Sequence, residues 1–345
     1  MPSPAEPPRA LPSPAEPPRA LPSAAELLAQ AHVVALPLAT RFRGVVEREA
    51  VLLHGPHGWA EFSPFTEYDD AESATWLDAA LRFAWEPPVP GTRDRIPVNA
   101  TLPAVGPAEV EGILARFPGV RTVKVKVAER GQTLADDVAR VRATRAFLGA
   151  EGRIRLDANG GWNLDEAERA AHELAPFDLE YLEQPCASVP ELAELRARLH
   201  DWDLPVAADE SVRKAQDPLA VARAGAADLL VLKAQPLGGT AAALRIAREA
   251  GLPVVVSSAL DTSVGLAMGA ELAAALPELP YDCGLGTAAL LAADVTDRPL
   301  LPVDGAIEVR RVEPGPALLQ RHAAEPARAA WWRERIERCL RLLAP

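Results

Sequence analysis

Four charged residues end otherwise apolar runs of this chain at nearly even intervals: Asp157 in IRLDAN, Glu183 in LEYLEQP, Asp209 in PVAADES and Lys233 in DLLVLKA. The intervals are 26, 26 and 24 residues, each the length of one strand, one helix and two loops. In a closed barrel of parallel strands, that register sets all four at the carboxyl ends of neighbouring strands, where the loops build active sites. Three carboxylates gathered there repel one another and rise in pKa unless a cation neutralises them. Oxygen donors without His or Cys select a hard ion, so Mg²⁺ is expected on Asp157, Glu183 and Asp209, with Mn²⁺ as a substitute.

The run Val123-Lys124-Val125-Lys126-Val127 adds a base. Strand side chains alternate between faces, so the valines pack outward under helices and both lysines look into the barrel mouth. A nearby dication and a neighbouring ammonium lower the pKa of such a lysine toward neutrality, where it can take a proton. By the same parity Arg155 shares the face of Asp157, as either a counter-ion or a substrate contact. Asn159, beside Gly160 and Gly161, either meets substrate or shapes a turn. Ser257 and Ser258 either bind a substrate carboxylate or satisfy backbone groups. Each residue has an ordinary explanation when taken singly: Lys-x-Lys protects an exposed sheet edge, and an Asp after a strand caps a helix. Five charged residues on five consecutive strands, all at the same end, are more than capping produces. The six histidines lie outside this set and receive no role.

The elements that must position these residues come as eight short runs rich in Val, Ile and Leu: IPVNATL, TVKVKVA, IRLDAN, LEYLEQP, PVAADES, DLLVLKA, PVVVSSA and a weaker YDCGLGT. Amphipathic stretches separate them; Leu134, Val138, Val141 and Leu148 recur at helical steps between the second and third. This is the rhythm of a (β/α)8 TIM-type barrel over residues 96–299. An open doubly wound sheet is the alternative, against which no GxGxxG follows the first run. Residues 30–95 read instead as an α+β unit, and residues 300–345, with DGAIEVRRV and a terminal helix, are expected to pack on it as one capping domain. Residues 1–29 form a separate tail: PSPAEPPRAL occurs twice in succession, and its prolines favour solvated extended chain over helix or sheet. The tail is expected to be disordered.

Composition narrows the class of function. The chain has 345 residues and a formal net charge of −12 with no basic stripe, which disfavours nucleic acid and anionic membrane as partners. No run of eighteen uncharged apolar residues offers a membrane span. Cys186, Cys283 and Cys339 are far apart, which fits neither a disulfide framework nor a zinc site and suits a reducing cytoplasm. A small-molecule carboxylate is the expected partner, with no obligate protein partner.

Lys124-x-Lys126, Asp157-Ala158-Asn159, Glu183-Gln184-Pro185, Asp209-Glu210-Ser211 and Lys233 resemble the motifs of the enolase superfamily, in the branch that contains the muconate-lactonising enzymes. TRFRG at Thr40–Gly44, GWAEFSPF at Gly58–Phe65 and VVVSSALDTSVGL at Val254–Leu266 most resemble the actinobacterial o-succinylbenzoate synthases of menaquinone biosynthesis. The resemblance implies a modified barrel, (β/α)7β, with a capping domain built from both chain ends. It also implies the residue roles. Lys126 removes the proton beside a substrate carboxylate and returns it to the departing hydroxide, Lys233 stays protonated opposite, and Lys124 lowers the pKa of Lys126. The nearest alternative is N-succinylamino acid racemisation with the same two lysines. A barrel that binds a ligand without catalysis is the alternative from another class, and it has no need of a base.

Overall fold

A computed structural model describes residues 22–42, 44–214 and 217–344. The duplicated repeat at residues 2–21 therefore lies outside the described residues. The first unit is an antiparallel meander of β1 (Ala31–Phe42), β2 (Val45–Gly55) and β3 (Gly58–Phe62). The helix Asp70–Trp85, capped by the Asp69 carboxylate, packs on β2 and β3. The terminal helix Pro326–Leu343 packs against both that helix and β1, burying Trp332, Ile336 and Cys339. Trp332 Nε1 donates to Glu49 Oε2 of β2 at 2.9 Å, so the last helix completes the core of the first sheet.

The tail expected over residues 1–29 is corrected at its inner end. Ala24–Ala29 is a helix whose start carries a reciprocal Ser23–Glu26 capping box. Its Leu27 is fully buried, and the helix packs on Pro326–Leu343.

The run IPVNATL divides into two strands. Arg95–Pro97 (β4) pairs antiparallel with a strand from beyond the barrel, β12 (Ala306–Glu308), and Ala100–Leu102 (β5) begins the barrel. From there β6 (Thr122–Lys126), β7 (Arg153–Asp157), β8 (Leu179–Glu183), β9 (Val206–Ala208), β10 (Leu229–Leu232) and β11 (Val254–Val256) follow in order as one parallel sheet. The eighth run closes the ring by single bridges, Cys283 with Val98 and Gly284 with Ser257. A Cβ on Gly284 would lie 2.4 Å from Ser257 Oγ, so a glycine is required where the last strand passes the seventh. Tyr181, Ala207, Leu229, Val231 and Val255 fill the inside of the barrel. No helix among the described residues is long and apolar enough to cross a membrane.

Candidate active site

Register fixes the site. Lys126 pairs with Asp157 across β6 and β7, and Asp157 with Glu183 across β7 and β8, so the three strand ends are flush. Asp209 follows β9 directly and Lys233 follows β10. Val123 and Val125 are fully buried on the helix side, which leaves Lys124 and Lys126 to the barrel mouth. Asp157, Glu183 and Asp209 are each 1% exposed.

The lysines and carboxylates neutralise one another in pairs. Lys124 Nζ donates to Glu183 Oε1 at 2.8 Å and Oε2 at 3.0 Å, and stands 3.1 Å from Asp157 Oδ2. Lys126 Nζ bonds Asp157 Oδ2 and donates to Asn159 Oδ1 at 2.8 Å. Lys233 bonds Asp209 Oδ2, whose other oxygen accepts from Arg213 Nε at 3.0 Å. Burial weakens every one of these charges, but the balance differs by site. For Lys124, Glu183 and Asp157 outweigh burial and hold the ammonium above its ordinary range. For Lys126, burial prevails over the pull of Asp157, Lys124 adds repulsion, and the pKa falls. Burial and the Asp157 charge push Glu183 up, whereas against burial Lys126 and Lys124 draw Asp157 down, and Lys233 and Arg213 draw Asp209 down.

Among the described residues, no three His, Cys, Asp or Glu side chains stand close enough, as they lie, to close on one metal ion. The donor chemistry nevertheless suits a hard dication: three buried carboxylates on adjacent strands, each turned onto an ammonium that already supplies the positive charge such a cluster requires.

The cavity between these residues measures about 40 Å³, and Asn159, Ser257 and Ser258 line it with the lysines, Asp157 and Asp209. Asn159 sits in the left-handed region at φ 48° and accepts from Lys126, so it both turns the chain and meets the base. Arg155 is the expectation to correct as a substrate contact. It lies one pleat deeper, fully buried, bonded to Glu180, to Asn99 Oδ1 at 3.1 Å and to Asp282 O at 2.6 Å, and is absent from the cavity wall. It is a counter-ion inside the barrel. Spacing missed Phe42, Phe65, Tyr68 and Trp76, all from the first unit, together with Thr101, Arg213 and Thr287. Arg213 had a usable signal, since it follows Asp209 by one helical turn on Glu210–Arg213. It also donates to Glu210 Oε1 at 2.6 Å and Tyr68 OH at 3.2 Å, joining barrel to cap. A wider cleft of about 740 Å³ shares Phe42, Lys126 and Asn159 with the cavity and carries Arg41, Arg116 and Arg130.

A parallel barrel with carboxylates and lysines at its strand ends, under a cap of β-meander and helix, defines the class of protein. A family model described as enolase C-terminal domain-like matches residues 109–318, and one described as enolase N-terminal domain-like matches residues 33–84. The chain belongs to the enolase superfamily. Within it, the o-succinylbenzoate synthase of Mycobacterium marinum is 56% identical over 319 residues, covering 92% of this chain and 95% of the relative. The o-succinylbenzoate synthase of Mycobacterium tuberculosis is 55% identical over 320 residues, covering 92% and 96%. Among solved structures, muconate lactonizing enzyme from Pseudomonas putida superposes with a TM-score of 0.70 at 19% identity, covering 85% of this chain and 98% of the other. The L-Ala-D/L-Glu epimerase from Bacillus subtilis gives 0.71 at 24%, covering 83% and 96%. These two likenesses speak to the fold.

Proposed function

We propose that this chain is a carbon–oxygen lyase that dehydrates 2-succinyl-6-hydroxy-2,4-cyclohexadiene-1-carboxylate to 2-succinylbenzoate, a step of menaquinone biosynthesis. The observation that carries this reading is 55–56% identity, over 92% of the chain, to proteins named o-succinylbenzoate synthase.

Asp157, Glu183 and Asp209 would hold Mg²⁺, or Mn²⁺ in its place; when bound, the ion supplies a Lewis acid for the carboxylate beside the proton to be removed. That pairing of lysine with a dication is general chemistry of the superfamily. Lys126 takes the proton, because burial and Lys124 favour its neutral amine. The electron pair released from the C–H bond moves into the ring as the C–OH bond breaks. Lys126 then passes its proton to the departing hydroxide, water leaves and the ring becomes aromatic. One acid-base group therefore serves both steps on one face. Lys233, held by Asp209, provides fixed positive charge on the other side. Asn159 orients the Lys126 amine and Ser257 presents its hydroxyl to the polar end of the substrate, while Ser258 Oγ, which also lines the cavity, donates to Gly284 O at 2.7 Å and so ties the seventh strand end to the eighth.

The same reading takes residues 96–299 as the catalytic barrel and 30–95 with 300–345 as its cap, and places the enzyme in the cytoplasm, where three separate buried thiols suit a reducing medium. The test is incubation in D₂O with the cyclohexadiene acid and, separately, with N-succinylamino acids. Rapid 2-succinylbenzoate formation with little exchange in the amino acids is expected. Efficient racemisation without aromatisation would overturn the assignment.

A further inference from the structure

One wall of the cavity is loop. The seventh barrel strand ends at Val256 and the next helix starts at Ser263, so Ser257, Ser258, Ala259 and Leu260 line the cavity from a connecting stretch held to the eighth run by the single Ser257–Gly284 bridge, with Leu260 at φ 64°. The cap holds this stretch from behind. Arg48 of β2 donates through Nε to Leu260 O at 3.2 Å and through Nη2 to Ala259 O at 3.4 Å. Glu61 of β3, fully buried, takes Thr262 N at 3.0 Å, Thr262 Oγ1 at 2.6 Å and Gly265 N at 3.1 Å on Oε2, and Ser63 Oγ at 2.5 Å on Oε1.

Two features set this carboxylate apart from ordinary packing. The Gly265 amide belongs to the first turn of the helix Ser263–Ala275, where N–H groups lack intrahelical partners and negative charge is favoured. A Cβ at Gly265 would meet Asp261 Cβ, Glu61 Cδ and Glu61 Oε2, each at 2.8 Å, so a glycine at the helix start leaves room for both carboxylate side chains. The arrangement is also costly. Burial and the adjacent Asp261, itself 5% exposed, push Glu61 up to about 7, so the anchor persists against the preference of its charge for water.

The geometry points to Glu61 as a positioning residue: from the cap, it pins the helix start at Thr262 and Gly265 that follows the Ser257–Leu260 wall of the barrel site, and so couples seating of the cap to substrate binding. The consequence for turnover rests on the function proposed above; the anchoring itself does not.

Glu61→Gln keeps a carbonyl oxygen for Thr262 and Gly265 and turns its NH₂ toward Ser63 Oγ, whereas Glu61→Ala removes the anchor. Gly265→Ala leaves Glu61 present but pushes it, together with Asp261, off the helix start, and Asp261→Ala serves as the control for the second contact. Steady-state kinetics are paired with amide exchange over residues 257–266, read by mass spectrometry without substrate. Glu61→Ala and Gly265→Ala should each raise KM about tenfold, with kcat within about threefold, and speed exchange about tenfold. Glu61→Gln should stay within about twofold of the parent on both, and the double variant should be no worse than either single. Wild-type KM and exchange in Gly265→Ala would overturn the inference even where Glu61→Ala does not fold. So would a Gln variant as impaired as Ala, or a loss confined to kcat and folded fraction. Failure of the parent to turn over the diene acid would count against the function alone, because exchange still reads the anchor.

Discussion

Lys124 and Lys126 are two residues apart on one strand and face the same cavity, yet they are suited to opposite tasks. Lys124 is clamped between Glu183 and Asp157 and stays charged; Lys126 is destabilised as an ammonium and can lose its proton. Lys126→Ala should therefore lower kcat by at least about a thousandfold, and Lys126→Arg should not restore it, since arginine cannot act as a base at neutral pH. If Lys233 supplies fixed charge, as proposed, Lys233→Ala should cost about a hundredfold or more and Lys233→Arg should recover part of that loss. Equal recovery by arginine at both positions, measured by the aromatic product absorbance, would reverse the roles. At this scale the strand-end carboxylates and lysines were legible because one βα unit has a nearly constant length. Of the two readings of Arg155 the counter-ion fits and the substrate contact does not, because parity reports a face and not a depth: two residues along a strand is about 6.6 Å, enough to move a side chain from the cavity into the barrel interior. Phe42, Tyr68 and Trp76 left no trace in spacing, since the cap reaches the site by tertiary docking.

The elements were legible where periodicity was strong and failed at their margins. The seven-stranded run of β5 to β11 was visible as alternation of apolar runs with helical stripes. IPVNATL concealed a break because Ile96 and Leu102 are both fully buried, although one belongs to the β4–β12 pair and the other to the barrel. Composition likewise hid the Ala24–Ala29 helix, where proline density upstream outweighed a short apolar pair, Leu27 and Leu28, that docks on the terminal helix. Arg333 reinforces that dock, donating to Leu28 O at 2.8 Å and Ala31 O at 3.1 Å. Burying one leucine fully is worth about 2 kcal/mol, so a chain beginning at Gln30 should melt several degrees below one beginning at Pro22. Equal melting curves by calorimetry would show that the short helix contributes nothing.

For the molecule as a whole, a net charge of −12 coexists with a centre in which three carboxylates meet three lysine side chains. A dication that joins this centre in the folded chain and has no site in the unfolded one stabilises the fold by about 2.7 kcal/mol at a hundred times its Kd. Chelation should abolish turnover, Mg²⁺ or Mn²⁺ should restore it, and the melting temperature should climb with added Mg²⁺. Full activity after exhaustive chelation would remove the metal from this account. The seating of Trp332 beside Glu49, 283 residues away along the chain, bears on how the protein is made. At about 5–20 residues per second, a ribosome needs roughly a quarter of a minute to a minute to span that distance. The meander emerges first but waits for the last helix, so the barrel has time to close before its lid is finished. Nascent chains stalled before residue 326 should thus present a folded barrel beside a first sheet still open to proteases and chaperones.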